Sequence, residues 1–318
     1  MSHRSLPVVP AQPVPVAAVD PVPDDAPDAP PWPHLPTVEW QVCGQCNYDC
    51  SYCIQSKKYR VGYPTHDELQ RALTVLAELP DRWEVKMTGG EPFASRLFLD
   101  LIVPSLARTP HRISTLTNLS APVRQLQRFA ELCGDQLGIV SASLHLEFTT
   151  AQEFLLRLHA LRDAAHDAAS FVVNCVLAPG QLARLPLVKQ QVEDAGFRFF
   201  PQLMKVGHGV FAYDEAQMQL VREIVGDLEV AARTRSANMA PAYTGRLCWT
   251  GARYFVLMQS GDAWSCRSAK RYGEGFLGNA YDGTLRRRER PVRCGYPICP
   301  CTVPANRGMI EGVERHGG

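Results

Sequence analysis

Three cysteines stand at positions 46, 50 and 53, in the run Cys43-Gly-Gln-Cys46-Asn-Tyr-Asp-Cys50-Ser-Tyr-Cys53. Three thiolates on one short loop reach three corners of a [4Fe-4S] cubane and leave the fourth iron without a protein ligand, unlike the usual four-cysteine arrangement. An iron left open in this way accepts a small chelating molecule. Two plainer chemistries use the same residues. Zinc could take Cys43, Cys46, Cys50 and Cys53, although zinc modules normally separate their ligand pairs by about a dozen residues or more. Cys50-Ser-Tyr-Cys53 could act as a dithiol redox pair, although that motif normally opens a helix on its own. Cys43 lies outside the register and reads as a small buried residue.

A second motif, Gly89-Gly90-Glu91-Pro92, ends the apolar run Trp83-Glu-Val-Lys-Met-Thr88. Paired glycines permit close backbone approach, and Glu91 offers a carboxylate to a ligand's ammonium. Farther on, Thr117-Asn118, Ser141, Ser143 and Asn174 fall at the polar ends of apolar runs, and His145 and Glu147 share one face if the strand continues through them. A last cluster holds five cysteines: Cys248, Cys266, Cys294, Cys299 and Cys301. Between the first two, Tyr254-Phe-Val-Leu-Met258, a Ser260-Gly-Asp262 turn and Trp264 read as a β-hairpin that brings Cys248 and Cys266 together. Structural zinc is the plain reading of these five. Cys133 and Cys175 sit in apolar segments and read as core.

A scaffold must bring these motifs together. From residue 38 short apolar runs alternate with helix-period segments, the pattern of βα units around a parallel sheet. Strands are expected over 38–42, 84–88, 112–117, 138–144, 171–177 and 197–203, with helices beginning near Thr65, Leu97, Ala121, Thr150 and Gln181. Two of those helices open with capping boxes, Thr65 with Glu68 and Thr150 with Glu153. One more helix is expected over 216–232. The cysteine loop then follows the first strand at its C-terminal end, where α/β barrels place their chemistry. Three segments result: a Pro- and Ala-rich tail over 1–37 expected to be disordered, a core domain over 38–235, and a cysteine-rich domain over 236–318.

Composition narrows the function class. The chain has 318 residues, 46% of them hydrophobic, and a net charge of +1, so no global field draws nucleic acid or an anionic membrane. No apolar run of membrane-spanning length and no signal peptide is visible, which makes the cytoplasm the expected compartment. Eleven cysteines in a reducing compartment point to metal or redox chemistry rather than disulfides.

Cys46-x3-Cys50-x2-Cys53, with Tyr52 before the last cysteine, resembles the signature of the radical S-adenosylmethionine (SAM) superfamily, and Gly89–Pro92 resembles that family's GGEP motif. The Cys248–Cys266 hairpin resembles the start of a SPASM or Twitch extension. The resemblance implies a partial (β/α)₆ TIM-like barrel with a small auxiliary-cluster domain. It implies a SAM-cleaving [4Fe-4S] cluster on Cys46, Cys50 and Cys53, whose electron breaks the S–C5′ bond to give a 5′-deoxyadenosyl radical that abstracts hydrogen. Gly89, Gly90, Glu91 and Pro92 would meet the methionine moiety of SAM, and Tyr52, Thr117, Asn118, Ser141, Ser143 and Asn174 would complete the cofactor site. Relatives carry Thr-Asn-Gly and Ser-x-Asp where this chain has Thr-Asn-Leu and Ser143-Leu-His145. Five C-terminal cysteines suit one auxiliary [4Fe-4S] cluster, held by Cys248, Cys266 and two of Cys294, Cys299 and Cys301. The implied partners are an electron donor such as flavodoxin or ferredoxin and a small-molecule or peptide substrate. Peptide-maturing relatives often carry a fused leader-recognition domain, which the first 37 residues cannot form.

Overall fold

Thr65 and Thr150 close the capping boxes expected of them, each accepting from the backbone of a glutamate three residues on while that glutamate returns a bond. The helix behind Thr65, α1 (His66–Ala77), buries Leu69, Ala72, Leu73 and Leu76, one stripe at helical spacing. The computed structural model describes residues 34–55 and 62–313. Most of the expected tail, residues 1–33, therefore lies outside the described residues.

Six strands follow the expected alternation within a residue or two: β1 (Thr37–Cys43), β2 (Glu84–Gly89), β3 (Arg112–Thr117), β4 (Leu137–Leu144), β5 (Ser170–Leu177) and β6 (Arg198–Leu203). They pair in parallel in chain order, with α1 and then α2 (Val103–Leu106), α3 (Val123–Cys133), α4 (Ala151–Asp163) and α5 (Leu185–Asp194) between them. This is the partial TIM-like barrel of the expected α/β class. A π-turn over Phe98–Ile102 leads into α2. After β6 come the short hairpin β7 (Lys205–Val206) and β8 (Gly209–Val210), then α6 (Glu215–Val225) and α7 (Leu228–Thr234). The single helix expected over 216–232 is thus two. Gly226 leaves the helix with φ +84°, and Asp227 caps the next one through the backbone of Val230.

Residues beyond 235 extend the same sheet. β9 (Leu247–Cys248) pairs with β13 (Val292–Arg293), and the expected hairpin forms from β10 (Tyr254–Leu257) and β11 (Asp262–Trp264). β12 (Phe276–Asn279) completes a nine-stranded sheet in the order β12-β11-β10-β1-β2-β3-β4-β5-β6, in which β10 runs parallel to β1. Two short helices, α8 (Arg267–Tyr272) and α9 (Val303–Asn306), finish the fold. Among the described residues no helix is long and apolar enough to cross a membrane.

Alternation along β1 and β2 divides two environments. Val38, Trp40, Val42, Val85 and Met87 join the main apolar core. The alternate positions meet the C-terminal segment instead. Glu39 accepts from Arg267 through Nε at 3.0 Å and Nη2 at 2.6 Å, and from the Tyr254 hydroxyl at 2.6 Å. Glu84 accepts from Arg307 and from Ser114 Oγ at 2.7 Å. Burial alone would raise the pKa of both carboxyls, but the neighbouring guanidinium charge and the hydrogen bonds hold both below the ordinary value.

Removing Arg267 takes from the buried Glu39 its hydrogen-bonded counter-ion and leaves only the more weakly acting Lys86 charge. Arg267→Met should cost roughly 3 kcal/mol, the lower end of the range for a broken buried pair, since the Arg267 side chain keeps 26% of its surface exposed. Glu39→Gln combined with Arg267→Met should lose less than the single variant. Urea unfolding of the three proteins measures the difference, and equal losses would contradict the pairing.

Candidate functional site

The cysteine loop leaves β1 and is held main chain to main chain by the turn after β2. Gly90 N–H donates to the Cys43 carbonyl at 3.0 Å, and Glu91 N–H to the Gln45 carbonyl at 3.0 Å. A Cβ on Gly89 would stand 2.6 Å from the Cys43 oxygen, and one on Gly90 2.1 Å from the Gln45 oxygen. Neither distance admits a side chain. The two glycines are therefore required by the cysteine loop itself, before any ligand is considered. Cys43 is buried and its thiol donates to the Glu91 carbonyl at 3.4 Å, which makes it the small packed residue read from the sequence.

Glu91 is buried at the end of that turn. Its carboxylate accepts from Phe93 N–H at 3.1 Å, the Thr117 hydroxyl at 2.8 Å and Asn118 N–H at 2.7 Å. Burial pushes its pKa up to about 7 against the pull of these three donors. The carboxylate expected to meet an ammonium is thus engaged inside the protein, joining the second strand's turn to the third's. Asn118 continues outward: its Nδ2 donates to Asn47 Oδ1 at 3.0 Å, and Asn47 Nδ2 donates to Ser120 Oγ at 2.9 Å. Thr117 and Asn118 consequently brace the cysteine loop.

The other side of the loop rests on the segment after β4. Glu147 accepts from Ser51 N–H at 2.8 Å and Ser51 Oγ at 2.5 Å, and the Tyr52 hydroxyl lies 3.0 Å from His145 Nδ1. Tyr48 stacks on Phe148 with ring centroids 4.5 Å apart. β4 ends at Leu144, so His145 and Glu147 occupy a turn and not a strand face; turn geometry aims both at the loop. Burial lowers the His145 pKa to about 4 against the nearby Glu147 charge, leaving the ring neutral near pH 7. Within the loop, Cys50 is buried, Cys46 half-buried and Cys53 exposed. Burial, then the neighbouring Cys53, Glu147 and Cys46, raises the Cys50 thiol to about 12.

Ser143 pairs across the sheet with Asn174, and Ser141 lies on the same face two residues before it. Asn174 is buried, and its Nδ2 has no hydrogen-bond partner among the described residues. Its Oδ1 accepts from Gln202 Nε2 at 3.4 Å. Gln202 Oε1 accepts from Asn238 Nδ2 at 3.2 Å, and that amide also donates to the Pro300 carbonyl at 3.2 Å. Asn238 donates in both directions, so the chain of amides runs from the Pro300 carbonyl, between Cys299 and Cys301, to an Asn174 Nδ2 that keeps no partner among the described residues. Sequence reading missed Gln202 and Asn238, because a lone amide on a strand carries no motif.

All five C-terminal cysteines line one cavity of about 200 Å³, together with Tyr243, Arg267 and Tyr296. Cys248 lies on β9 opposite Val292, two residues before Cys294. Cys266 caps α8, its sulfur accepting from Ala269 N–H at 3.3 Å. Burial raises the Cys248 thiol to about 11 and Cys266 further. Among the described residues no group of three or more His, Cys, Asp or Glu side chains is drawn together tightly enough to hold a single metal ion. A cubane distributes its ligands over separate irons and so takes thiols that stand farther apart. Both cysteine sets have the donor chemistry for such a group.

Residues 40–174 match the family model described as Radical SAM superfamily. No curated protein matches the chain. Streptococcus suis SuiB bound to precursor peptide SuiA shares 12% identity over 79% of this chain and 64% of that one, with a TM-score of 0.57. The structure described as anSMEcpe with bound AdoMet shares 15% over 79% of this chain and 76% of that one, TM-score 0.56. The same protein with bound AdoMet and Kp18Cys peptide shares 14% over 80% and 81%, TM-score 0.55. At these identities the likeness is one of fold.

Glu91→Gln places an amide N–H₂ among three donors and should cost roughly 1–3 kcal/mol of stability. Because the folded pKa of Glu91 lies above its ordinary 4.5, the wild type loses stability through this group as pH rises from about 4.5 to about 7. The variant should lack that part of the slope. Urea midpoints across this range test both statements, and superimposable profiles would refute them.

Proposed function

We propose that this chain, whose residues 40–174 match the Radical SAM superfamily model, reductively cleaves SAM and uses the radical to abstract hydrogen from a natural-product intermediate or a peptide. The observation that carries the reading is the cysteine loop, one run of chain bearing three thiols and braced on both sides by the strand ends next to it. Cys46, Cys50 and Cys53 would hold a [4Fe-4S] cluster by three irons. When bound and reduced, that cluster supplies the electron that splits the S–C5′ bond of SAM into methionine and a 5′-deoxyadenosyl radical.

The protein's own part is binding and orientation. Gly89, Gly90 and Glu91 fix where the loop stands. The Asn174 Nδ2, without a partner among the described residues, would offer a donor to an acceptor atom of the ligand, and Thr117 and Ser141 are buried polar residues at the same strand ends. Neutral His145 holds Tyr52, the aromatic residue beside Cys53. Cys248, Cys266 and two of Cys294, Cys299 and Cys301 would carry an auxiliary cluster that binds substrate or accepts an electron. Flavodoxin or ferredoxin would supply the first electron, in the cytoplasm. Two of the fold neighbours have peptides bound, which supports a peptide substrate as much as a small molecule. The contrasting reading is a non-catalytic zinc or iron-sulfur protein on the same scaffold.

Anaerobic reconstitution should give about eight irons per chain, from two cubanes. Cys46→Ala/Cys50→Ala/Cys53→Ala should keep about four and form no 5′-deoxyadenosine. Cys248→Ala/Cys266→Ala should still form 5′-deoxyadenosine after reduction. Stoichiometric zinc in the anaerobically purified wild type, or an unchanged iron count in the triple variant, would reject the assignment.

A further inference from the structure

A second cavity, of about 590 Å³, opens at the opposite end of the sheet from the cysteine loop, where β2 and β10 begin. It lies between the end of α1 and residues 285–289, and Arg253, Arg286, Arg287 and Arg288 line it. Each guanidinium presents several donors and no acceptor. Arg287 is held by the Ala252 carbonyl at 3.0 Å and by the Trp83 ring, 4.9 Å below it. Arg286 donates to the Gly283 and Leu285 carbonyls, both at 2.8 Å, and Arg288 to the Thr250 carbonyl at 3.4 Å. The Arg253 side chain forms no such bond among the described residues. Glu78, Asp81 and Glu289 also border the cavity, but all three are exposed, and among the described residues none makes an ion pair with these arginines. Burial, and after it the adjacent Arg253 charge, lowers the Arg287 pKa.

We propose that this arginine-lined cleft binds a phosphorylated small molecule. Guanidinium forks match phosphate oxygens bidentately, and four guanidinium groups lining one cavity favour a ligand with several oxygens and more than one charge. A carboxylate satisfies a single fork. The volume falls in the range of about 300–1,000 Å³ typical of small-molecule sites, larger than phosphate alone requires. Arg288 also lines the cysteine cavity, so the phosphorylated ligand sits one side chain away from it.

Titration calorimetry with pyrophosphate on the full chain tests the assignment. One saturable site per chain is expected, weakening as salt is raised and binding pyrophosphate more tightly than succinate. Arg253→Gln and Arg286→Gln should each weaken it about tenfold, with unfolding midpoints unchanged in the absence of pyrophosphate. Since the Arg253 guanidinium makes no hydrogen bond among the described residues, that variant stays informative even if Arg286→Gln disturbs its loop. Absence of a saturable site at millimolar pyrophosphate, unchanged affinity in the Arg253 variant, or succinate binding as well as pyrophosphate would each overturn the proposal.

Discussion

Two turns touch backbone to backbone at the end of β1 and β2, and the rest of the site depends on that clearance. Gly90 has no space for even a methyl group against the Gln45 carbonyl. The contact sets the height of the cysteine loop above the barrel mouth, and Glu91 carries the same constraint sideways to β3 through three hydrogen bonds. Glu147, His145 and Asn118 then hold the loop from its remaining sides. A set of thiols that must present a fixed spacing gains little from strong individual bonds. It gains from many short braces whose geometry cannot all relax together.

The C-terminal third is tied in by ionic pairs as well as by the sheet. Phe255, Leu257 and Ala263 join the main core, while Trp249, Tyr254, Val256 and Met309 belong to a separate apolar cluster. The junction with the barrel is marked by the ionic pairs of Arg267 with Glu39 and Arg307 with Glu84. Such pairs add little net stability against an apolar alternative, but they reject wrong seatings, because any misplacement strands a buried charge. The amide chain from Asn174 to Pro300 crosses the same junction and connects the interior of β5 to the loop that bears Cys299 and Cys301.

Most of the frame was readable because period and punctuation are local. Alternating apolar runs, two capping boxes and a turn at Ser260–Asp262 located six strands and the C-terminal hairpin to within a residue or two. The split at Gly226 escaped notice because the apolar spacing carries through it, while a single positive φ is what ends the helix. At the site, cysteine spacing announced the thiols, whereas the bonds by which Glu91, Thr117 and Asn118 join one another and the cysteine loop left no mark in the sequence. Sequence position places a side chain at a strand end; whether it turns toward a neighbouring loop or open space depends on contacts tens of residues away. Gln202 and Asn238 illustrate the same limit, since their meaning lies only in the order of donors and acceptors.

β1 sits between two partners of very different sequence distance. β2 follows it after one helix, whereas the segment of β10 that reaches Glu39 is 215 residues away. On a ribosome the first partner emerges early and the second only when most of the chain has been made. Until then the strand that launches the cysteine loop has one hydrogen-bonding edge bare and Glu39 without its counter-ion. Closing so long a loop is slow, and an unpaired edge invites association with other chains. The protein's assembly therefore ends where its chemistry begins, and the interval before closure is when a nascent chain most needs protection from its neighbours.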